Sequence, residues 1–181
     1  MNGVLVVFYS YSGVSNRAAR LLASHLDWPV GEVTDGAPRA GFMGGLRCVM
    51  DSLMHRRPPI DYRGPDPSLF RTVLIVSPIW AYQMAGPMRS FIVANAGKIL
   101  QFAQLTMMNS GGASNAVKEA ARLFGRDPLL TAEFTSREIE DGTGTGRLLR
   151  FAQAVEDATS GKTPPPHRGW TSADSTEPIA P

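Results

Sequence analysis

The 181-residue chain is 43% hydrophobic and 19% charged, and its 18 Lys and Arg against 16 Asp and Glu leave a net charge of +2. That length makes one ordinary globular domain with a substantial core, and is too short for two. It holds no apolar run long enough to cross a bilayer, no basic run longer than Arg56-Arg57 to suit nucleic acid, and one cysteine, Cys48, which excludes an internal disulfide.

The chain opens with Met1-Asn2-Gly3 and no basic residue ahead of its short apolar run, so a signal peptide is not expected and the cytoplasm is the expected compartment. Residues 4–8 are short, β-branched and uniformly apolar, as a central parallel strand covered on both faces should be. The strand breaks into Ser10-Tyr11-Ser12-Gly13-Val14-Ser15-Asn16. From Val14 the apolar positions Ala18, Leu21, Leu22 and Leu26 recur at helical spacing. The hydroxyl-rich turn therefore stands at a helix N-terminus, where free N–H groups and the helix dipole suit a phosphate monoester. Ser12 or Ser15 as a plain helix cap is the simpler alternative. The turn lacks the Lys of a Walker loop and the repeated glycines of a dinucleotide fingerprint.

Four more strands are expected at residues 30–34, 72–77, 104–108 and 129–135. Between them, Leu46, Val49, Met50, Leu53 and Met54 form one helical stripe, and Pro87 begins a helix carrying Met88, Phe91 and Ile92 toward Gly97. Val117, Ala120, Ala121 and Phe124 form another that stops at Gly125, and a last helix runs from about Thr145 to a stop at Gly161. Residues 36–45 and 56–67, rich in Gly and Pro, read as loops. Strict alternation of strand and helix predicts a three-layer α/β/α sandwich around a five-stranded parallel sheet in the order 2-1-3-4-5. The domain is expected to span residues 1–161, followed by a Pro/Ser/Thr-rich tail at 162–181 that reads as disordered.

In such a sheet the ligand sits beyond the carboxyl ends of the strands, where strand order reverses. Three loops meet that condition. The first is residues 10–16. The second, Pro78, Ile79, Trp80, Ala81, Tyr82 and Gln83, offers two aromatic rings able to stack on a planar ligand. The third, Asn109, Ser110, Gly111 and Gly112, offers backbone groups at a ring edge, or is an ordinary turn with Ser114 as a cap. A phosphate at one end and a flat ring at the other is the ligand these loops describe. His25, His55 and His167 share no ligand spacing with each other or with Cys48, so no metal site is expected.

These residues resemble the flavodoxin-like family of FMN proteins. Residues 10–16 are similar to its phosphate loop, which implies Ser10, Ser12, Gly13, Val14, Ser15 and Asn16 as contacts of the FMN phosphate. SPIWAYQ, residues 77–83, resembles its first flavin-flanking loop, and residues 109–112 occupy the place of the second. GFMGGLRCVMDSLMHRRPPID, residues 41–61, resembles a helix and Pro-Pro stop of bacterial flavodoxin-like oxidoreductases. The resemblance covers residues 4 to about 160. It implies FMN as cofactor, NADH or NADPH as donor, a quinone or other small acceptor, and a possible homodimer, with the flavin rather than a side chain doing the chemistry. A one-electron carrier that docks on redox proteins, and a degenerate module that binds no flavin, are the alternatives. Through Thr163 the chain has 17 Lys and Arg against 14 Asp and Glu, whereas carrier flavodoxins are typically acidic.

Overall fold

The computed structural model describes residues 2–35, 54, 56–108 and 112–162. Strand β1 (Asn2–Tyr9) contains the opening apolar run, and each of residues 4–9 is at most 2% exposed. Burial on both faces explains the run: a strand flanked by helices above and below has no polar side to present. Val4, Val6 and Phe8 join the core beneath helix α1 (Val14–Leu26) and helix α5 (Thr145–Ser160). Leu5, Val7 and Tyr9 join a second core beneath helices α2 (Gly86–Asn95) and α3 (Ala113–Phe124).

Strand β1 pairs in parallel with β2 (Val30–Asp35) on one side and β4 (Phe70–Trp80) on the other. Parallel pairing continues from β4 to β6 (Gln101–Met108) and from β6 to β7 (Thr131–Thr135). The five parallel strands thus lie in the order β2-β1-β4-β6-β7, which is the expected 2-1-3-4-5. Pro87 sits in the first turn of α2, and α3 and α5 end on left-handed Gly125 and Gly161, as the stop signals predict.

Three features depart from expectation. Residues 60–63, expected within a loop, form β3 (Ile60–Arg63), which adds an antiparallel edge to β2. Four residues between two proline clusters are too short to show a pattern, and the partner strand supplies the stability. Strand β4 runs three residues past Ser77 and folds back through the two-residue β5 (Gln83–Met84). A short helix, α4 (Ser136–Glu140), follows β7 on a capping box made by Thr135 and Glu138. The expected helix around residues 46–54 lies outside the described residues except for Met54, and so does the tail beyond Lys162. No described helix is long and apolar enough to cross a membrane.

Strand β3 is held by Tyr62, whose ring lies over Gly31 of β2; a Cβ on Gly31 would stand 2.3 Å from the Tyr62 hydroxyl oxygen. The hydroxyl donates to the Pro65 carbonyl at 2.7 Å, and the ring packs on Phe91 with centroids 5.1 Å apart. Burial, reinforced by the Asp66 carboxylate, pushes the Tyr62 phenol up from 10.0 to about 12. Because the folded state favours the neutral phenol, this contribution to stability is complete below pH 10 and is lost as pH rises toward 12. Gly31→Ala should displace the ring, return the phenol toward its ordinary pKa in a spectrophotometric titration, and lower stability by about 1–3 kcal/mol in urea melts.

Candidate functional site

The chain leaves β1 toward one face of the sheet, into α1, and leaves β4 toward the other, into α2, so a crevice opens between the carboxyl ends of these neighbouring strands. Its first wall is the turn into α1. The Gly13 N–H donates to Ser10 Oγ at 3.1 Å, folding the chain back over four residues. Gly13 is the N-cap with φ +92°, and no atom lies within 4 Å of the place a Cβ would take. No side chain caps this helix, so neither Ser12 nor Ser15 plays the simpler structural part considered above. The first helical bond runs from Arg17 N–H to the Gly13 carbonyl, leaving the N–H groups of Val14, Ser15 and Asn16 ahead of it.

Ser12, Val14 and Ser15 line a cavity of about 230 Å³. Ser15 is 2% exposed, and its hydroxyl has no hydrogen-bond partner among the described residues. The opposite wall is Pro78, Ile79 and Trp80 from the end of β4, with Met107 and Met108 from β6 and Ser136 from the start of α4. Every lining residue is neutral. Arg147, close behind, is committed elsewhere: it pairs with Glu138 at 2.7 Å, donates to the Glu133 carbonyl at 2.8 Å, and lies 3.7 Å from the centre of the Phe134 ring. Burial tends to raise the Glu138 pKa, but hydrogen bonds from the Thr135 backbone and hydroxyl and from Arg147 hold the carboxyl below its usual range.

Trp80 is fixed edge-on between Tyr9 and Tyr11, with centroids 5.6 and 5.8 Å away and ring planes nearly perpendicular. Beyond it, Ile79 pairs with Met84 and Trp80 with Gln83, leaving Ala81 and Tyr82 as a two-residue hairpin tip. Both have left-handed φ, 48° and 63°. Such turns favour Asn-Gly, and each residue with a Cβ costs about 1–2 kcal/mol there. Tyr82 is 58% exposed. Its backbone meets Gly112, where φ is +95° and a Cβ would stand 2.6 Å from the Tyr82 Cα. Gly112 is the N-cap of α3, again with no side-chain cap, so Ser114 does not close that helix.

The structure brings six of the fifteen expected residues to one cavity and places the other described ones around it. Ser12, Val14, Ser15, Pro78, Ile79 and Trp80 face the cavity. Ser10 shapes the turn, and Asn16 accepts from Arg20 Nε at 2.7 Å through its side chain. Ala81 and Tyr82 form the hairpin tip outside the cavity lining. Asn109, Ser110 and Gly111 lie outside the described residues. Sequence reasoning missed Tyr11, Met107, Met108 and Ser136. Ser136 follows a parallel strand at the same carboxyl end, so the topological rule that nominated the other loops could have found it. No group of acidic, His or Cys residues suited to a metal occurs among the described residues.

No protein-family model and no curated protein matches the sequence. Solved structures do. A protein described as a flavoprotein from Bacteroides uniformis superposes with a TM-score of 0.68 at 21% identity, over 84% of this chain and 98% of that one. A flavoprotein in complex with FMN from Lactobacillus acidophilus gives 0.64 at 17% identity, over 79% and 99%. A flavodoxin from Streptococcus pneumoniae gives 0.52 at 14% identity, over 89% and 99%. This chain has the flavodoxin-like fold.

The two glycines should respond differently to alanine. Gly13→Ala meets open space and carries only the left-handed cost, about 1 kcal/mol. Gly112→Ala must also push the hairpin away, so urea denaturation should show a loss of roughly 2 kcal/mol or more. Amide exchange at Ala81–Met84 should accelerate in the second variant and not in the first.

Proposed function

We propose that this protein binds FMN and acts as a flavin-dependent oxidoreductase. The observation that carries the reading is the neutral cavity at the β1/β4 crevice, with an uncapped helix N-terminus and two serines at one end and a clamped tryptophan at the other. The donor set fits a phosphate monoester. The N–H groups of Val14, Ser15 and Asn16, the free Ser15 hydroxyl and the dipole of α1 supply donors and partial positive charge without a cation. The open space in front of Gly13 lets an oxygen approach the backbone. The FMN complex of the Lactobacillus acidophilus flavoprotein supports the same choice of ligand.

At about 230 Å³ the cavity is smaller than the roughly 300–1,000 Å³ of pockets that enclose a whole ligand. It suits the phosphate and the chain next to it. The ring would lie outward, against the Trp80 hairpin, with an edge open to solvent. When bound, FMN supplies the redox chemistry. The chain's residues hold and orient: Ser12, Ser15 and Asn16 contribute donors, Trp80 and Ile79 an apolar wall, and Tyr9 and Tyr11 fix the indole. An open edge suits electron entry from NADH or NADPH and exit to a quinone or another small acceptor in the cytoplasm. The mildly basic body favours this enzyme over an acidic one-electron carrier.

Adding FMN to the purified protein and desalting should leave near one equivalent bound. Ser12→Asp places a carboxylate against the phosphate and should weaken binding about tenfold or more, ~1.4 kcal/mol. Oxidation of NADH or NADPH with a quinone acceptor then identifies the enzyme. Retained FMN without turnover assigns the carrier instead, and no retained FMN overturns the reading.

A further inference from the structure

Helices α2 and α3 are joined by a buried ion pair. Arg89 of α2 is 2% exposed and Glu119 of α3 is 5% exposed. Arg89 donates to Glu119 through Nε and, at 3.1 Å, through Nη2. If joining two helices were the only task, apolar side chains would serve as well, because taking two charges out of water offsets most of their attraction. The remaining donors show what the pair adds. Nη2 also donates to the Met84 carbonyl at 3.1 Å, and Nη1 to the Arg56 carbonyl at 3.0 Å. The neighbouring Ser90 hydroxyl donates to the Pro58 carbonyl at 2.7 Å.

Two of these partners lead to the hairpin beside the site, and the others lead to the sheet edge. Met84 closes the hairpin whose tip is Ala81 and Tyr82. Glu119 lies two turns into the helix that begins at Gly112, and Gly112 rests on Tyr82. Arg56 and Pro58 lead into β3. A planar guanidinium with donors in fixed directions can hold these groups at one mutual spacing, which a flexible ammonium cannot. The phosphate cradle, by contrast, belongs to α1 on the other face of the sheet.

We propose that Arg89 and Glu119 are positioning residues that set the spacing and tilt of the hairpin at 79–84 against the start of α3 at Gly112, and with them the aromatic wall that the ligand's ring would meet. The ring's identity rests on the FMN reading; the positioning does not. The decisive variant is the double substitution Arg89→Met with Glu119→Leu. It removes both charges at similar volume, so loss of the pair itself costs little, and a fall in the urea midpoint measures the loss of the Arg89 hydrogen bonds to the Met84 and Arg56 carbonyls. In the apo protein, amide exchange at the hairpin and at the first turn of α3 should accelerate about tenfold more than exchange in β1.

With FMN added, the double variant should keep phosphate-end binding and show an altered visible circular dichroism of the flavin. Should the double variant fail to fold, Arg89→Lys carries the same test, since it keeps the charge beside Glu119 but cannot reach both carbonyls. Parent-like hairpin exchange in whichever variant folds would overturn the proposal and leave the pair a structural joint. Faster hairpin exchange in a protein that retains no FMN would support the positioning role and sink the flavin reading alone.

Discussion

Gly112 and Tyr82 approach so closely that a single added carbon on the glycine would overlap the tyrosine backbone. Much of the site follows from that constraint. It requires a residue without a Cβ at the entrance to α3, and such a residue has no side chain with which to cap the helix. It holds the hairpin tip in a conformation that Ala81 and Tyr82 would not choose alone. The strain persists because the flanking residues over-determine the turn: Met84 is buried, its carbonyl is bound by Arg89, and Trp80 is wedged between two tyrosines. The result is an exposed aromatic, Tyr82, carried on a rigid rather than a loose tip.

Charge is handled in a way that leaves the cavity neutral. Arg147 is matched by Glu138 and Arg89 by Glu119, so the nearby guanidinium groups brace the frame rather than reach for a ligand. An anion entering the cavity would meet oriented N–H groups and a helix dipole instead. These donors are already ordered, so no long side chain has to be immobilised when the anion arrives. A terminal phosphate suits such a site better than an extended polyphosphate, which would leave further charge against apolar walls such as Val14, Ile79 and Met107.

Sequence periodicity revealed most of the architecture because the dominant constraint is local. Residues 4–8 are uniformly apolar since both faces of β1 are covered, and Gly125 and Gly161 mark helix ends by their backbone freedom. The hydroxyl-rich turn at residues 10–16 was legible as a helix N-terminus for the same reason: it lies between a buried strand and an amphipathic helix. What stayed hidden depends on partners distant in the chain. Strand β3 has four residues and exists because Tyr62 finds Gly31. Arg89 and Glu119 are 30 positions apart, and each looks like a surface charge on a helix until both helices pack on the same core. Ser10 and Asn16 fit the motif, yet their side chains serve the turn and Arg20 rather than the cavity.

The division of the site between the two cores has a further consequence. The serine-rich turn rests on the layer built by α1 and α5, whereas the hairpin and the α3 entrance rest on the layer built by α2 and α3. Strands β1 and β4 are the shared wall, and their pairing from Asn2 with Phe70 to Phe8 with Val76 fixes one layer against the other. A ligand that spans the crevice therefore bridges two packing units joined by a rigid ladder. Tyr11 ties the two units further, because it stands in the turn before α1 and meets Trp80 of the hairpin edge-on at 5.8 Å.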